Sequence, residues 1–219
     1  GAIDVRASAT QAEMRRNLTK LITEAPGRVI IGTFASQIER VNWIISAAEA
    51  LGKKVALDGY SMKMNIEIAK KLGYIKVKKE TLIKIESIDD YPDKKVIVIV
   101  TGAQGESNAG LMRIVDGEHK YIKIKRGDTM IFSSSVIPGN ERSVQGLKDN
   151  LTRQGAIVFQ SKMIDIHASG HAPSEDLTLT VKLLKPKYFV PDHGYYYMRA
   201  TNGKNALAGG LDKDGVRLM

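Results

Sequence analysis

The stretch KVIVIVTGAQGE at residues 95–106 joins an uninterrupted apolar run to a loop of small and polar residues. A short run rich in Val and Ile is typical of a strand that is buried on both faces, as in a parallel sheet. The same arrangement recurs in RVIIGT at residues 28–33 and in TMIFS at residues 129–133. These stretches therefore predict a buried parallel sheet whose strands end in polar loops.

Further strands and helices extend this pattern along the chain. In residues 36–51 the apolar positions recur at helical spacing, with Ser36 placed as N-cap and Gly52 as the stop. The alternation of strands and helices predicts an α/β protein with a largely parallel sheet flanked by helices. The other expected strands are residues 54–57, 81–85, 156–160 and 187–190, and the expected helices are residues 11–24, 36–51, 61–72 and 141–153.

Composition narrows the classes of function. The chain has 219 residues, of which 43% are hydrophobic and 26% charged, as expected of a folded globular protein. It contains no Cys, which excludes disulfides, thiolate nucleophiles and Cys-ligated zinc. We expect no membrane span and a cytoplasmic location. The excess of 33 Lys and Arg over 24 Asp and Glu, a net charge of +9, favours a polyanionic partner such as nucleic acid.

Four loops carry the residues most suited to binding an anion, namely residues 33–36, 101–106, 133–141 and 167–172. Their small side chains let backbone N–H groups approach a phosphate, and ligands of open α/β sheets bind at the carboxyl ends of the strands. We assign Ser134 and Asn140 as phosphate- or RNA-binding residues. Ordinary turn and capping chemistry is the alternative for each loop taken alone. The sequence has neither a P-loop nor a GxGxxG fingerprint.

Histidine is scarce, and three of the four histidines are His167, His171 and His193. Imidazoles beside a Gly-rich loop can bind phosphate, act as a general acid or ligate a metal. Together with Asp192 they are too few to build a two-metal centre, so catalysis requires ligands from elsewhere. The fourth, His119, lies in a polar turn, and we expect it to be solvated.

The chain closely resembles the β-CASP region of the ribonuclease J family. The segments that carry the resemblance are TFASQIERVNWII, TGAQGESNAGLMRI, GDTMIFSSSVIPGNE, HASGHAPSEDL and LLKPKYFVPDHG, in that order. In that family a metallo-β-lactamase fold is interrupted by a β-CASP domain, and the enzyme cuts RNA at a two-zinc centre as endonuclease and 5′-to-3′ exonuclease. The resemblance implies a β-CASP domain at residues 1–165, with a lead-in helix, and a short metallo-β-lactamase remnant at residues 166–219.

The resemblance also implies roles for individual residues. His171 and His167 would be catalytic, with His171 contacting the scissile phosphate and protonating the leaving oxygen. His193 would be a ligand of a Zn²⁺ ion in the full-length enzyme. The phosphate-binding loop would consist of Ser169, Gly170, His171 and Ala172.

Departures from the family pattern limit these expectations. The HxHxDH metal motif of the family does not occur in this sequence, and Tyr195 follows His193 and Gly194 where the family commonly has Glu. We therefore expect a piece of a larger nuclease that is inactive alone, with single-stranded RNA as partner. The full-length enzyme is expected to form homo-oligomers.

Other functions remain open from the sequence. One is a stand-alone, non-catalytic RNA-binding module that kept the β-CASP surface and lost the metal site. Another is a relative acting on DNA or on pre-mRNA ends, and a third is a binder of small nucleotides. The consecutive tyrosines at positions 195–197 are candidates for stacking on bases or for packing at a strand edge.

Overall fold

The computed structural model describes residues 10–106, 109–137, 139–160 and 172–218. These residues divide into two compact units, one over residues 11–160 and one over residue 10 and residues 172–218. The domain boundary expected between residues 165 and 166 lies outside the described residues and stays a prediction.

The first unit is built on a six-stranded sheet in which every pairing is parallel, in the order β3-β2-β4-β1-β5-β6. The central strand β1 places Ile30 opposite Val98 of β4 on one side and Met130 of β5 on the other. The predicted α/β class with a parallel sheet is confirmed. The strands are β1 Val29–Gly32, β2 Lys54–Asp58, β3 Leu82–Ile83, β4 Val96–Val100, β5 Thr129–Phe132 and β6 Ile157–Gln160.

Helices cover both faces of this sheet, and the buried strand β4 has apolar side chains on each face to pack against them. Ile97 and Ile99 pack with the first three helices, whereas Val98 and Val100 pack with the next two. All four side chains are fully buried, and each contributes about 1.5–3 kcal/mol through removal from water. The helices are α1 Gln11–Glu24, α2 Ile38–Ala50, α3 Tyr60–Lys71, α4 Gly110–Val115 and α5 Glu141–Arg153.

The start of α2 differs from the prediction. Ser36 is exposed and lies outside the helix, whose N-cap is Gln37 without a side-chain capping bond. The turn is closed by backbone groups instead, since the N–H of Gln37 donates to the carbonyl oxygen of Phe34 at 3.0 Å and that of Ile38 to Ser36 at 2.9 Å. Backbone bonding of this loop therefore replaces the side-chain cap.

A buried ion pair joins the residues that precede β1 and β5. Arg28 Nη2 lies 2.7 Å from Asp128 Oδ2, and both side chains are 2% exposed. Arg28 Nη2 also donates to the carbonyl oxygen of Lys123 at 2.6 Å, and Asp128 Oδ2 accepts the N–H of Lys125 at 2.8 Å. Each buried charge thus has its opposite charge and a further hydrogen-bond partner.

The second unit contains two helices that pack on each other, α6 Ser174–Leu184 and α7 Tyr196–Ala208. The strand expected at residues 187–190 is wrong, because the described residues contain only a single isolated bridge there, between Phe189 and Val216. The three consecutive tyrosines are exposed and lie at the start of α7, not at a strand edge. Assignment of this unit to a metallo-β-lactamase fold stays a prediction.

Candidate functional site

Three loops meet where the central strands β4, β1 and β5 end. The N–H of Thr33 after β1 donates to the carbonyl oxygen of Val100 at 3.1 Å, and the N–H of Ser133 after β5 donates to that of Gly32 at 2.9 Å. Thr33 Oγ1 also donates to the carbonyl oxygen of Ser133 at 3.4 Å. The sheet therefore brings the loops beginning at residues 33, 101 and 133 to one edge, as the sequence predicts.

The connections from these neighbouring strands leave toward opposite faces of the sheet. The chain runs from β1 into α2 on one face, and from β4 and β5 into α4 and α5 on the other. Neighbouring strands whose connections diverge in this way leave a crevice at their carboxyl ends, which is where α/β proteins bind ligands. The candidate site is this carboxyl edge.

Gln104 links two of the loops. It is almost fully buried, and its Nε2 donates to the carbonyl oxygen of Ser135 at 2.8 Å and lies 3.4 Å from Ser134 Oγ. Its Oε1 accepts the N–H of Ile137 at 2.8 Å. Since both ends of the amide are used, the loops after β4 and β5 form one hydrogen-bonded unit. Sequence reasoning placed Gln104 in a candidate loop but missed this role.

We expect Gln104→Ala to lower the free energy of unfolding by about 1–3 kcal/mol, because it removes the part-buried hydrogen bonds to Ser135 and Ile137 and the buried contact with Ser134 Oγ. Urea unfolding measures this loss. Gln145 is the matched control, since it is exposed and bonds only to Asp149 on its own helix among the described contacts. Equal, small effects of Gln104→Ala and Gln145→Ala would contradict the linking role.

Arg40 fixes the loop after β5 from the other face of the sheet. This buried side chain of α2 donates from Nη1 to the carbonyl oxygen of Ser133. Burial lowers the pKa of its guanidinium. Sequence reasoning missed Arg40, although a charged residue beside Val41 in an apolar stripe is a signal that a buried partner exists.

The structure places Ser134 and Asn140, two of the predicted phosphate- or RNA-binding residues, in the β5–α5 connection. Ser134 is buried at its start, whereas Asn140 is half-buried and is the N-cap residue of α5 without a side-chain capping bond. Glu141 Oε2 accepts the N–H of Gly139, which has a φ of +100°, at 2.8 Å. The binding roles of Ser134 and Asn140 stay predictions.

A cavity of about 450 Å³ opens beside this connection. Its wall includes one cation, Lys148, which donates from Nζ to Gln160 Oε1 at 2.9 Å at the end of β6. Ser134, Ser135 and Val136 of the loop after β5 also line it. An anion in this cavity would thus meet the half-buried Lys148 and the hydroxyl groups of Ser134 and Ser135, with the carboxylate of Glu141 also on the wall. The polar lining residues are Ser134, Ser135, Glu141, Gln145, Lys148 and Gln160.

The remaining predicted site residues fall elsewhere. His167, Ser169, Gly170 and His171 lie outside the described residues. Ala172 and His193 belong to the second unit, where Ala172 is half-buried and His193 is exposed in the turn before α7. Their assigned roles stay predictions.

The residues that the structure describes contain no group of three or more His, Asp or Glu side chains able to hold a metal ion. His193 and the adjacent Asp192 are both exposed and offer at most two ligands. A structural or catalytic zinc site needs three or four protein ligands. The described part of the chain therefore does not by itself fit a zinc ion.

His119 is a correction, since it is buried rather than solvated. Its Nδ1 accepts the backbone N–H groups of Tyr121 at 3.2 Å and Ile122 at 3.1 Å, and its Nε2 lies 3.4 Å from Asp58 Oδ2 at the end of β2. Nδ1 is therefore occupied by backbone donors, and Nε2 is the ring nitrogen that faces the carboxylate. The carboxylate is distant in sequence, so no local pattern could reveal the contact.

Within the described ranges, every helix is too short or too polar to cross a bilayer. The expected cytoplasmic location stays a prediction.

An all-parallel sheet covered by helices, with polar loops gathered at its carboxyl edge, defines a doubly wound α/β protein, a class that binds ligands at this edge. Residues 26–151 match the family described as "Ribonuclease J, beta-CASP domain". The chain belongs to the ribonuclease J family, as its sequence motifs indicate.

Individual relatives agree with this assignment. The chain is 38% identical over 213 residues to a ribonuclease J of Mycoplasma pneumoniae, a match that covers 97% of this chain and 37% of that protein. It is 40% identical over 210 residues to one from Synechocystis, covering 96% of this chain and 33% of that protein. It is 43% identical over 185 residues to a ribonuclease J of Thermus thermophilus, a match that covers 84% of this chain and 32% of that protein. The chain thus spans about a third of the length of these curated relatives.

Proposed function

We propose that this chain is the β-CASP part of a zinc-dependent ribonuclease that binds single-stranded RNA and its 5′-phosphate. The full-length enzyme would hydrolyse phosphodiesters as an endonuclease and as a 5′-to-3′ exonuclease. The observation that carries the proposal is the hydrogen-bonded carboxyl edge, with its cavity beside Lys148, in a chain of the ribonuclease J family. The name of these relatives, ribonuclease J, supports RNA as the substrate class.

The chemistry of the edge suits a phosphodiester chain. Lys148 would neutralise one phosphate, and the neighbouring hydroxyl and backbone N–H groups would donate hydrogen bonds to its oxygens. None of these groups reads a base edge, so binding would depend little on sequence. The net charge of +9 adds an attraction that salt screens.

Catalysis is proposed for residues of the second half of the chain. His171 and His167 would act on the scissile phosphate, and Ser169, Gly170 and Ala172 would help to hold it. His193 would give one ligand to a zinc site of the full-length enzyme. When bound, zinc ions in such enzymes supply a hydroxide nucleophile at neutral pH.

We expect this chain to bind a short single-stranded RNA with a 5′-monophosphate more tightly than the same RNA with a 5′-hydroxyl. Fluorescence anisotropy at several salt concentrations measures both affinities and the slope of log K against log salt. Lys148→Gln should weaken binding and reduce that slope by about 0.7, because it removes one phosphate contact from a single strand.

The matched control is Lys94→Gln, which removes the same charge from an exposed side chain just before β4, at the opposite edge of the sheet. It should leave the affinity nearly unchanged. If Lys148→Gln and Lys94→Gln weaken binding equally, the cavity is not the phosphate site. Equal binding of the two RNAs would favour a general RNA-binding module.

A further inference from the structure

A long groove separates α1 from α2 on the surface of the first unit. Its volume is about 970 Å³, and residues of α1 from Gln11 to Glu24 line it, so it follows that helix over about 20 Å. We call this cavity the α1–α2 groove. Both helices belong to the layer that packs on Ile97 and Ile99, whereas Lys148 belongs to α5 of the opposite layer. The groove is therefore separate from the cavity beside Lys148.

The walls of the groove are cationic. Arg15, Arg16 and Lys20 line it, together with Glu24. Lys20 Nζ lies 4.0 Å from Glu24 Oε1, and this exposed pair contributes little. Among the described residues, the side chains of Arg15 and Arg16 form no hydrogen bond or ion pair. Two guanidinium groups are therefore available to the phosphates of a ligand.

Trp43 adds an aromatic surface to these charges. It is the only Trp of the chain, it is half-buried, and its side chain borders a cavity on each side of α2. Proteins that hold single-stranded nucleic acid combine these two features, since bases stack on an aromatic ring and cations follow the backbone. The groove brings both features together over a length that suits a strand.

Hydroxyl groups of the groove are oriented as hydrogen-bond acceptors. Thr23 Oγ1 donates to the carbonyl oxygen of Thr19 at 2.8 Å, and Ser46 Oγ donates to that of Asn42 at 2.8 Å. The lone pairs of each hydroxyl oxygen can accept a hydrogen bond from a ribose 2′-OH. An acidic peptide would match the cations, but it has neither ribose hydroxyls nor bases to stack on Trp43. The chemistry of the groove therefore favours RNA.

We propose that the α1–α2 groove is a second binding site for single-stranded RNA. One base stacks on Trp43, and Arg15 and Arg16 contact neighbouring phosphates. Because the groove holds the interior of a strand, it does not distinguish a 5′-monophosphate from a 5′-hydroxyl. The choice of RNA rests in part on the proposed function, whereas the location rests on the groove itself.

Intrinsic fluorescence tests this site directly, because Trp43 is the only source of indole emission. The probe is a short oligouridylate with a 5′-hydroxyl, and we expect it to quench the emission as a base stacks on the ring. The double change Arg15→Gln with Arg16→Gln should reduce the slope of log K against log salt by about 1.4, since it removes two phosphate contacts from a single strand. At about 0.1 M salt this corresponds to a roughly 25-fold weaker association.

The matched control is Arg126→Gln with Arg153→Gln. It removes the same charge from two exposed side chains, one before β5 and one at the end of α5. The quenching should stay nearly unchanged. Equal losses in the two double variants, or quenching by poly-glutamate as strong as that by RNA, would overturn the proposal; the second result would assign the groove to an acidic protein segment.

Substitution of the ring separates stacking from packing. In the Lys148→Gln background, where the other site is weakened, Trp43→Leu should lower the affinity for labelled oligouridylate at least about fivefold in anisotropy. Trp43→Phe should restore most of it, because Phe keeps a ring face. RNA that binds the chain without quenching Trp43 would overturn the second site alone. RNA that does not bind at all would overturn the proposed function as well.

Discussion

Asp128→Ala is expected to lower the free energy of unfolding by about 3–5 kcal/mol. The change leaves the Arg28 guanidinium buried without its carboxylate, and an uncompensated buried charge is among the most destabilising changes in a protein. It also removes the hydrogen bond from the Lys125 N–H to Asp128 Oδ2, a bond that closes the turn before β5. Urea unfolding followed by circular dichroism measures the loss.

Two controls test whether the loss of stability comes from leaving a buried charge without its partner. Asp93→Ala also removes a carboxylate, one that lies 2.9 Å from Lys125 Nζ but is 45% exposed, and it should cost no more than about 1 kcal/mol. The double change Arg28→Met with Asp128→Leu should recover much of the stability, because it removes both buried charges. A loss under about 1 kcal/mol in Asp128→Ala would show that the buried pair does not hold β1 and β5 together.

His171→Ala in the full-length enzyme is expected to slow the chemical step by about 10²–10⁴-fold while leaving RNA affinity within a few-fold. A positioned general acid contributes a factor of this size, and it acts on the leaving oxygen only as the bond breaks. Single-turnover cleavage gives the rate of the chemical step, and anisotropy gives the affinity. This prediction rests on the proposed function and on the role that the family resemblance implies for His171.

The pH dependence of the cleavage rate shows whether His171 acts as a general acid or only binds the substrate. If His171 donates a proton, the wild-type rate falls as pH rises, because the donor loses its proton. This fall is absent in His171→Ala. Lys148→Gln is the matched control, since it should weaken RNA binding and keep the pH profile. Equal losses of rate and affinity in His171→Ala would contradict a role as general acid.

The strands of the first unit could be predicted because a strand buried on both faces is locally continuous in its apolar residues. Residues 96–100 are the clearest case, and the structure makes them the fully buried β4. The same reasoning was wrong for residues 187–190, where an apolar segment forms only one bridge among the described residues. A strand requires a neighbouring strand, and that neighbour is not encoded within the segment itself.

Helices with weak local signals were also missed. The six-residue α4 begins at Gly110, and the whole of α6 and α7 went unassigned. In α6 the leucines are mostly exposed and only Val181 is buried, so the pattern lacks the clear apolar stripe that identified α2. Packing of α6 on α7 stabilises both where local periodicity is weak.

By itself the sequence determined the α/β class, the family and the loops that meet at the carboxyl edge of the sheet. These follow from local patterns, namely apolar runs, small residues after strands and motifs read in order. Only the tertiary structure decided which side chains hold the candidate site together. Gln104 reaches Ser135 and Arg40 reaches Ser133 across the fold. Such contacts depend on the order of strands in the sheet, and side-chain spacing along the chain does not contain that order.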